Sequence, residues 1–227
     1  MTFSKQPLLR PLPPGRSLCI GLSLWLTALA THAADATWPP DWGATATYEQ
    51  GRRNPDYDDD QIKLGDETIY VGVSTLSGLR KTLGGRGRIR ARPGATEHSE
   101  GDRWLCYTVA GDARKLRLWL GGSSAHVNGP DVLSDYVVEA LPASATPTPS
   151  CPRLPARFVP LTLDHGVQLG APAADLVAAM PPLQHEGDDW VMATSYVSKH
   201  WVVSRLWAMR VVSGRIVGVR VHAMVTS

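Results

Sequence analysis

Catalytic signatures are the first thing this sequence lacks. Its 227 residues contain no Gly-x-Ser-x-Gly elbow, no His-Glu-x-x-His pair, no paired-cysteine zinc spacing and no phosphate-cradling glycine loop. Those absences remove the motif-bearing hydrolases, zinc enzymes and nucleotide-binding proteins. A triad assembled from distant residues leaves no motif, so a periplasmic hydrolase stands as the alternative class. Net charge is also scarce. The chain has 23 basic and 21 acidic side chains, and its first 33 residues hold Lys5, Arg10 and Arg16 with no acid. Without that leader the balance is 20 against 21, which gives no general footprint for nucleic acid. Long apolar runs are missing too: Leu18 to Ala30 falls short of the roughly 20 residues that a membrane helix needs.

The leader nevertheless has a definite order. A positive start, the Leu18–Ala30 run and the small residues of Ala28-Leu-Ala30 and Thr31-His-Ala33 make a secretory signal over residues 1–33. No Arg-Arg pair occurs in it, and Cys19 opens the apolar run instead of following it, which argues against a lipid-bearing cysteine. The reading is a periplasmic or secreted protein with no transmembrane segment after signal removal. Cysteine is rare, with three in the chain and two, Cys106 and Cys151, beyond the signal. In an exported protein two cysteines read most simply as one disulfide.

Residues 142–160 form a seam with six prolines, unfit for a helix or a central strand. Residues 34–141 and 161–227 on its two sides show a similar order of elements. In the first, Gln61–Leu64 and Glu67–Val71 flank Gly65-Asp66 as a hairpin. Leu76, Leu79 and Leu83 then give helical spacing over 75–83, with Gly84-Gly85 as the stop. Strands are predicted at 86–92, 103–110, 114–120 and 135–141. In the second, a helix at 172–180 precedes strands at 190–198, 200–212 and 216–225. The expected fold class is α+β: two related halves, each a short helix packed on an antiparallel sheet, joined by the Pro-rich linker.

Two segments carry a family resemblance. Val71-Gly-Val-Ser-Thr-Leu-Ser-Gly-Leu-Arg-Lys-Thr-Leu-Gly84 and Val167-Gln-Leu-Gly-Ala-Pro-Ala-Ala-Asp-Leu-Val-Ala-Ala-Met180 resemble the glycine turn into a helix of BamE-type outer-membrane assembly lipoproteins. They are also similar to the secreted β-lactamase-inhibitor proteins, which are built from two such repeats. The resemblance implies a helical layer backing a curved sheet, and protein binding as the activity. The chain lacks the lipid-bearing cysteine of the lipoprotein members, and no functional residue transfers. The functional expectation is an exported protein-binding module of inhibitor or immunity type, with an envelope-assembly factor as the neighbouring reading. Its partner is another protein in the cell envelope.

Three sets of residues are candidates for a site. Asp56, Asp58, Asp60 and Glu67 fall at positions 1, 3, 5 and 12 of a calcium-loop pattern. Gln61 stands where that turn wants glycine, and Pro55 excludes the entering helix, so a solvated acidic loop without a cofactor is preferred over calcium. Arg86, Arg88, Arg90 and Arg92 share one face of a strand, as a charged edge, as a surface for an acidic partner, or paired within the chain with the Asp56–Asp60 run. Finally, Ser213-Gly214 reads as a two-residue hairpin turn. The implied register sets Trp207 opposite Arg220 and Arg205 opposite His222 on one face, a composition suited to a binding hot spot. That face is either exposed to a partner or covered by the Trp38–Trp42 segment or by the other half.

Overall fold

The computed structural model describes residues 38–40, 42–43, 46, 48–50, 60–85, 87–91, 101–110, 114–179, 183–198 and 200–227. The leader, Asp56, Asp58, Arg86 and Arg92 lie outside the described residues. Among those described, no helix is long and apolar enough to cross a membrane.

The Gly65-Asp66 turn closes a hairpin of β2 (Gln61–Leu64) and β3 (Glu67–Tyr70), with Gly65 at φ +59°. Ile62, Leu64 and Ile69 point inward from it. Helix α1 (Leu76–Thr82) starts where the Thr75 hydroxyl accepts the Gly78 N–H at 3.2 Å. It stops at Gly84 and Gly85, both at positive φ. Helix α2 (Ala173–Ala179) is equally short. Strands dominate: β1 (Glu49–Gln50), β4 (Arg90–Ala91), β5 (Arg103–Ala110), β6 (Lys115–Gly122), β7 (Asp135–Leu141), β8 (Leu161–Leu163), β9 (Gln184–Glu186), β10 (Asp189–Ser198), β11 (Trp201–Val212) and β12 (Arg215–Thr226).

Nine of these strands form one sheet in the order β1-β10-β11-β12-β7-β6-β5-β4, with β9 also on β10. Its pairings are antiparallel except for β1, which runs parallel to β10. The remaining three make a small sheet, β3-β2-β8. This overturns the expected pair of halves. β12 completes the sheet begun by β5–β7, and β8 completes the hairpin β2–β3, so strands from both sides of the proline seam interleave in both sheets. The physical reason is edge satisfaction. β7 and β2 each offer unpaired backbone groups along one side, and the later strands supply the partners.

Alternation along the strands sorts the side chains. Leu105, Tyr107, Leu118, Leu120, Tyr136, Val138, Trp207, Met209, Val219 and Val221 pack on the small sheet and α1 as the main core. On the outer face Cys106, Trp119, Val137 and Cys151 cluster with Trp42 and Trp104, beside Val191, Ala193, Leu206 and Ala208. Gly218 lies under the Trp42 ring and Gly121 under Trp104, so a Cβ at either position collides with an indole.

Cys106 and Cys151 are bonded, at an S–S distance of 1.92 Å. The bond holds the proline seam along the side of β5 that β4 pairs only at Arg103 and Trp104. Thr108 N–H donates to the Pro152 carbonyl and Leu154 N–H donates to the Thr108 carbonyl, both at 2.8 Å. The 45-residue separation of the two cysteines corresponds to about 4 kcal/mol in the chain-entropy account. The Cys106→Ser/Cys151→Ser variant is therefore expected to lose about 4 kcal/mol in guanidinium denaturation. A loss below about 1 kcal/mol refutes that account of the bond.

Candidate functional site

The C-terminal hairpin decides where the candidate residues stand. Ser213 and Gly214 both have positive φ, as a tight primed turn requires. Val212 pairs with Arg215 and Val211 with Ile216, as expected; the register then shifts, and Arg210 pairs with Gly218. A bulge of one residue at Val217 moves every later pair. Trp207 lies opposite Val221 and Arg205 opposite Ala223, so the expected Trp207–Arg220 and Arg205–His222 pairs do not form. Arg220 and His222 stand on the outer face, while Trp207 and Arg205 stand on the core face.

On the outer face the registers align cross-strand charges. Arg117 opposes Glu139, Asp135 opposes His222, and Asp189 opposes Arg210. Asp135 binds Arg220 through two guanidinium nitrogens, Nη2–Oδ2 at 2.8 Å and Nε–Oδ2 at 3.2 Å, and His222 Nδ1 lies 3.3 Å from the same oxygen. Arg220 Nη1 also donates to the Trp42 carbonyl at 3.2 Å. Glu139 accepts the Trp119 indole N–H at 3.1 Å and Arg117 at 3.4 Å. Burial nonetheless holds its carboxyl above the usual range, the Trp119 and Arg117 contacts opposing that rise.

A pocket of about 140 Å³ opens beside Asp135, walled by Pro39, Pro40, Asp102, Trp104, Ser123, Arg220 and His222. Near it, His126 Nδ1 accepts the Asn128 N–H at 3.2 Å, which assigns the neutral ring's proton to Nε2. That Nε2 is buried without a hydrogen-bond partner. Burial first, and then the neighbouring His222, hold His126 below the ordinary imidazole value. Neither histidine hydrogen-bonds a hydroxyl among the described residues, so the set is one of matched charges without a nucleophile–base pair.

On the core face Asp60 takes the Trp207 indole N–H at 3.1 Å and Arg205 Nη1 at 3.4 Å. The His165 ring meets Trp207 edge-on, with centroids 5.3 Å apart. Asp60 is buried, and burial raises its pKa against the opposing pull of Arg205. Both Asp60 oxygens are thus engaged within the fold. Glu67 opposes Leu64 on β3, and no group of three His, Cys, Asp or Glu among the described residues could hold a metal ion. In the arginine run, Arg88 is exposed and precedes the strand, whose described part is only Arg90–Ala91. Arg90 lies 5.2 Å over the Trp38 ring.

The structure therefore brings Arg220 together with His222, and Trp207 together with Arg205, on opposite sides of the sheet. Sequence reasoning missed their acidic partners. The available signal was Asp135-Tyr-Val-Val-Glu139, where two acids four positions apart fall on the same face of an otherwise apolar strand.

Two pH dependences of opposite sign follow. Asp60 holds its proton more tightly when folded, so its contribution to stability declines as pH rises from the ordinary carboxylate value through the raised one. Relative to Asp60→Asn, the wild type should lose ground in denaturant titrations as pH rises above the ordinary carboxylate value; a flat or rising difference contradicts the burial argument. His126 holds its proton less tightly when folded, so stability falls as pH drops below the ordinary 6.5 toward the depressed value. His126→Gln should remove that part of the acid loss, and an unchanged profile refutes it.

No protein-family model matches the chain, and neither the curated proteins nor the solved structures yield a match, so the resemblance to BamE-type and β-lactamase-inhibitor proteins rests on its two glycine-turn segments alone.

Proposed function

We propose that the mature protein is exported and works as a protein-binding module of the cell envelope, of inhibitor or immunity type. The leader composition and the Cys106–Cys151 bond support export. One observation carries the binding reading. At the closed end of the β10–β11 hairpin, Val197 opposes Val202 and Ser198 opposes Trp201. There Val197 is 79 % exposed, Trp201 41 % and Val202 37 %. These three apolar side chains sit at one end of two long strands, beyond the stretch where β12 pairs with β7. Val197 and Val202 share one face of the hairpin and Trp201 stands on the other, so this end of the hairpin is apolar on both faces, which has the make-up of an interface anchor. Trp207, the earlier candidate, is 2 % exposed and serves the core.

Affinity capture from envelope extracts, with the mature protein as bait, tests the reading. A stoichiometric protein partner is expected. Trp201→Ala with Val202→Ser should weaken it by about 30-fold, the loss of roughly 2 kcal/mol at a hot spot. The melting temperature should stay near the wild-type value, because neither side chain belongs to the buried core clusters. Capture that is indifferent to the double variant, or no partner at all, defeats the proposal.

A further inference from the structure

A second recognition element lies away from the hairpin end and is independent of it. Strand β8 is the outer strand of the small sheet, paired with β2 on one side only. Its register gives Leu64↔Leu161, Lys63↔Thr162 and Ile62↔Leu163, and Gly65 N–H donates to the Pro160 carbonyl at 2.9 Å. In an antiparallel ladder a residue turns its N–H and C=O to the same side, and alternate residues turn opposite ways. Pro160 and Thr162 therefore face β2. Leu161 turns its N–H and C=O outward, and Leu163 turns its N–H outward. None of these three groups has a backbone partner among the described residues.

Beside them is a cleft of about 350 Å³, at the lower end of the range of ligand sites (about 300–1,000 Å³). Apolar walls come from Val109, Leu116, Val159, Val167 and Leu169. One charged side chain lines it, Arg114, whose guanidinium lies against Gly170. Arg114 makes no ion pair or hydrogen bond among the described residues, whereas the adjacent Lys115 is committed to the carbonyls of Ala143 and Ala145. Two donors and an acceptor at strand spacing, apolar walls and one cation that pairs with none of the described residues define a complement. The geometry points to β8 as a docking edge for a short extended apolar peptide that bears a carboxylate, which adds as a fourth strand to the small sheet and pairs its acid with Arg114. A fatty acid satisfies the walls and the arginine but leaves the three backbone groups unused.

The probe is a fluorescein-labelled acetyl-Val-Thr-Leu-Val-Glu peptide, followed by fluorescence polarisation on the full disulfide-bonded protein. Saturable binding is expected at micromolar to millimolar concentration, with Leu161 and Leu163 amides gaining protection from hydrogen exchange. N-methylation of alternate backbone nitrogens in the peptide should abolish binding. Arg114→Glu should weaken the Glu peptide at least tenfold and favour the same peptide ending in Lys, with an unchanged melting curve. Equal binding of the N-methylated peptide, indifference to Arg114→Glu, or binding of laurate with none of the peptide overturns the assignment. Loss of the hairpin-end partner leaves this test unaffected, because the two surfaces share no residue.

Discussion

Five residue pairs between β7 and β12, from Asp135↔His222 to Gly218↔Glu139, join the two stretches of chain that the proline seam separates. Each side of this pairing has its own task. Inward, Tyr136, Val138, Val219 and Val221 continue one apolar surface across the joint. Outward, Asp135 grips Arg220, 85 residues away along the chain. Without the pairing, the β5–β7 meander and the β10–β12 strands would each end in an open edge, and neither would have enough core to stand alone. The apolar side supplies the free energy and the charged side fixes the alignment.

That division explains how buried carboxylates are tolerated. Asp60, Asp135, Glu139 and Asp189 are all buried, and each has an arginine in contact. Two of them, Asp60 and Glu139, also take an indole N–H. Removing one partner from a buried pair costs about 3–5 kcal/mol, because the charge left behind is uncompensated. A one-residue slip of β12 on β7 would set Asp135 against a valine and turn Arg220 into the core. These pairs therefore act as a register check more than as a source of net stability.

The sequence revealed most of the elements. β5 and β7 were legible to the residue, and α1 announced itself through Thr75, three spaced leucines and a glycine pair. Their partners were not legible. Periodicity reports which face of a strand is buried, but carries no record of which distant edge will satisfy its backbone. The same limit led the reading to place Asp60 in a solvated acidic loop, when it is buried against Arg205 and Trp207. The bulge at Val217 was the other invisible feature. A two-residue turn fixes register only for the first pairs, and here the shift comes where Gly218 makes room for the Trp42 ring.

The way the proline seam runs beside β5 bears on how the chain survives its own synthesis. Residues 151–154 cover this part of β5, Pro152 giving its carbonyl and Leu154 its N–H to Thr108. What keeps them there is one covalent link and a few hydrogen bonds around Thr108. In a reducing compartment that link is absent, and the bared side of β5 becomes an adhesive strip for a second nascent chain. Solubility on expression then becomes a reporter of thiol oxidation.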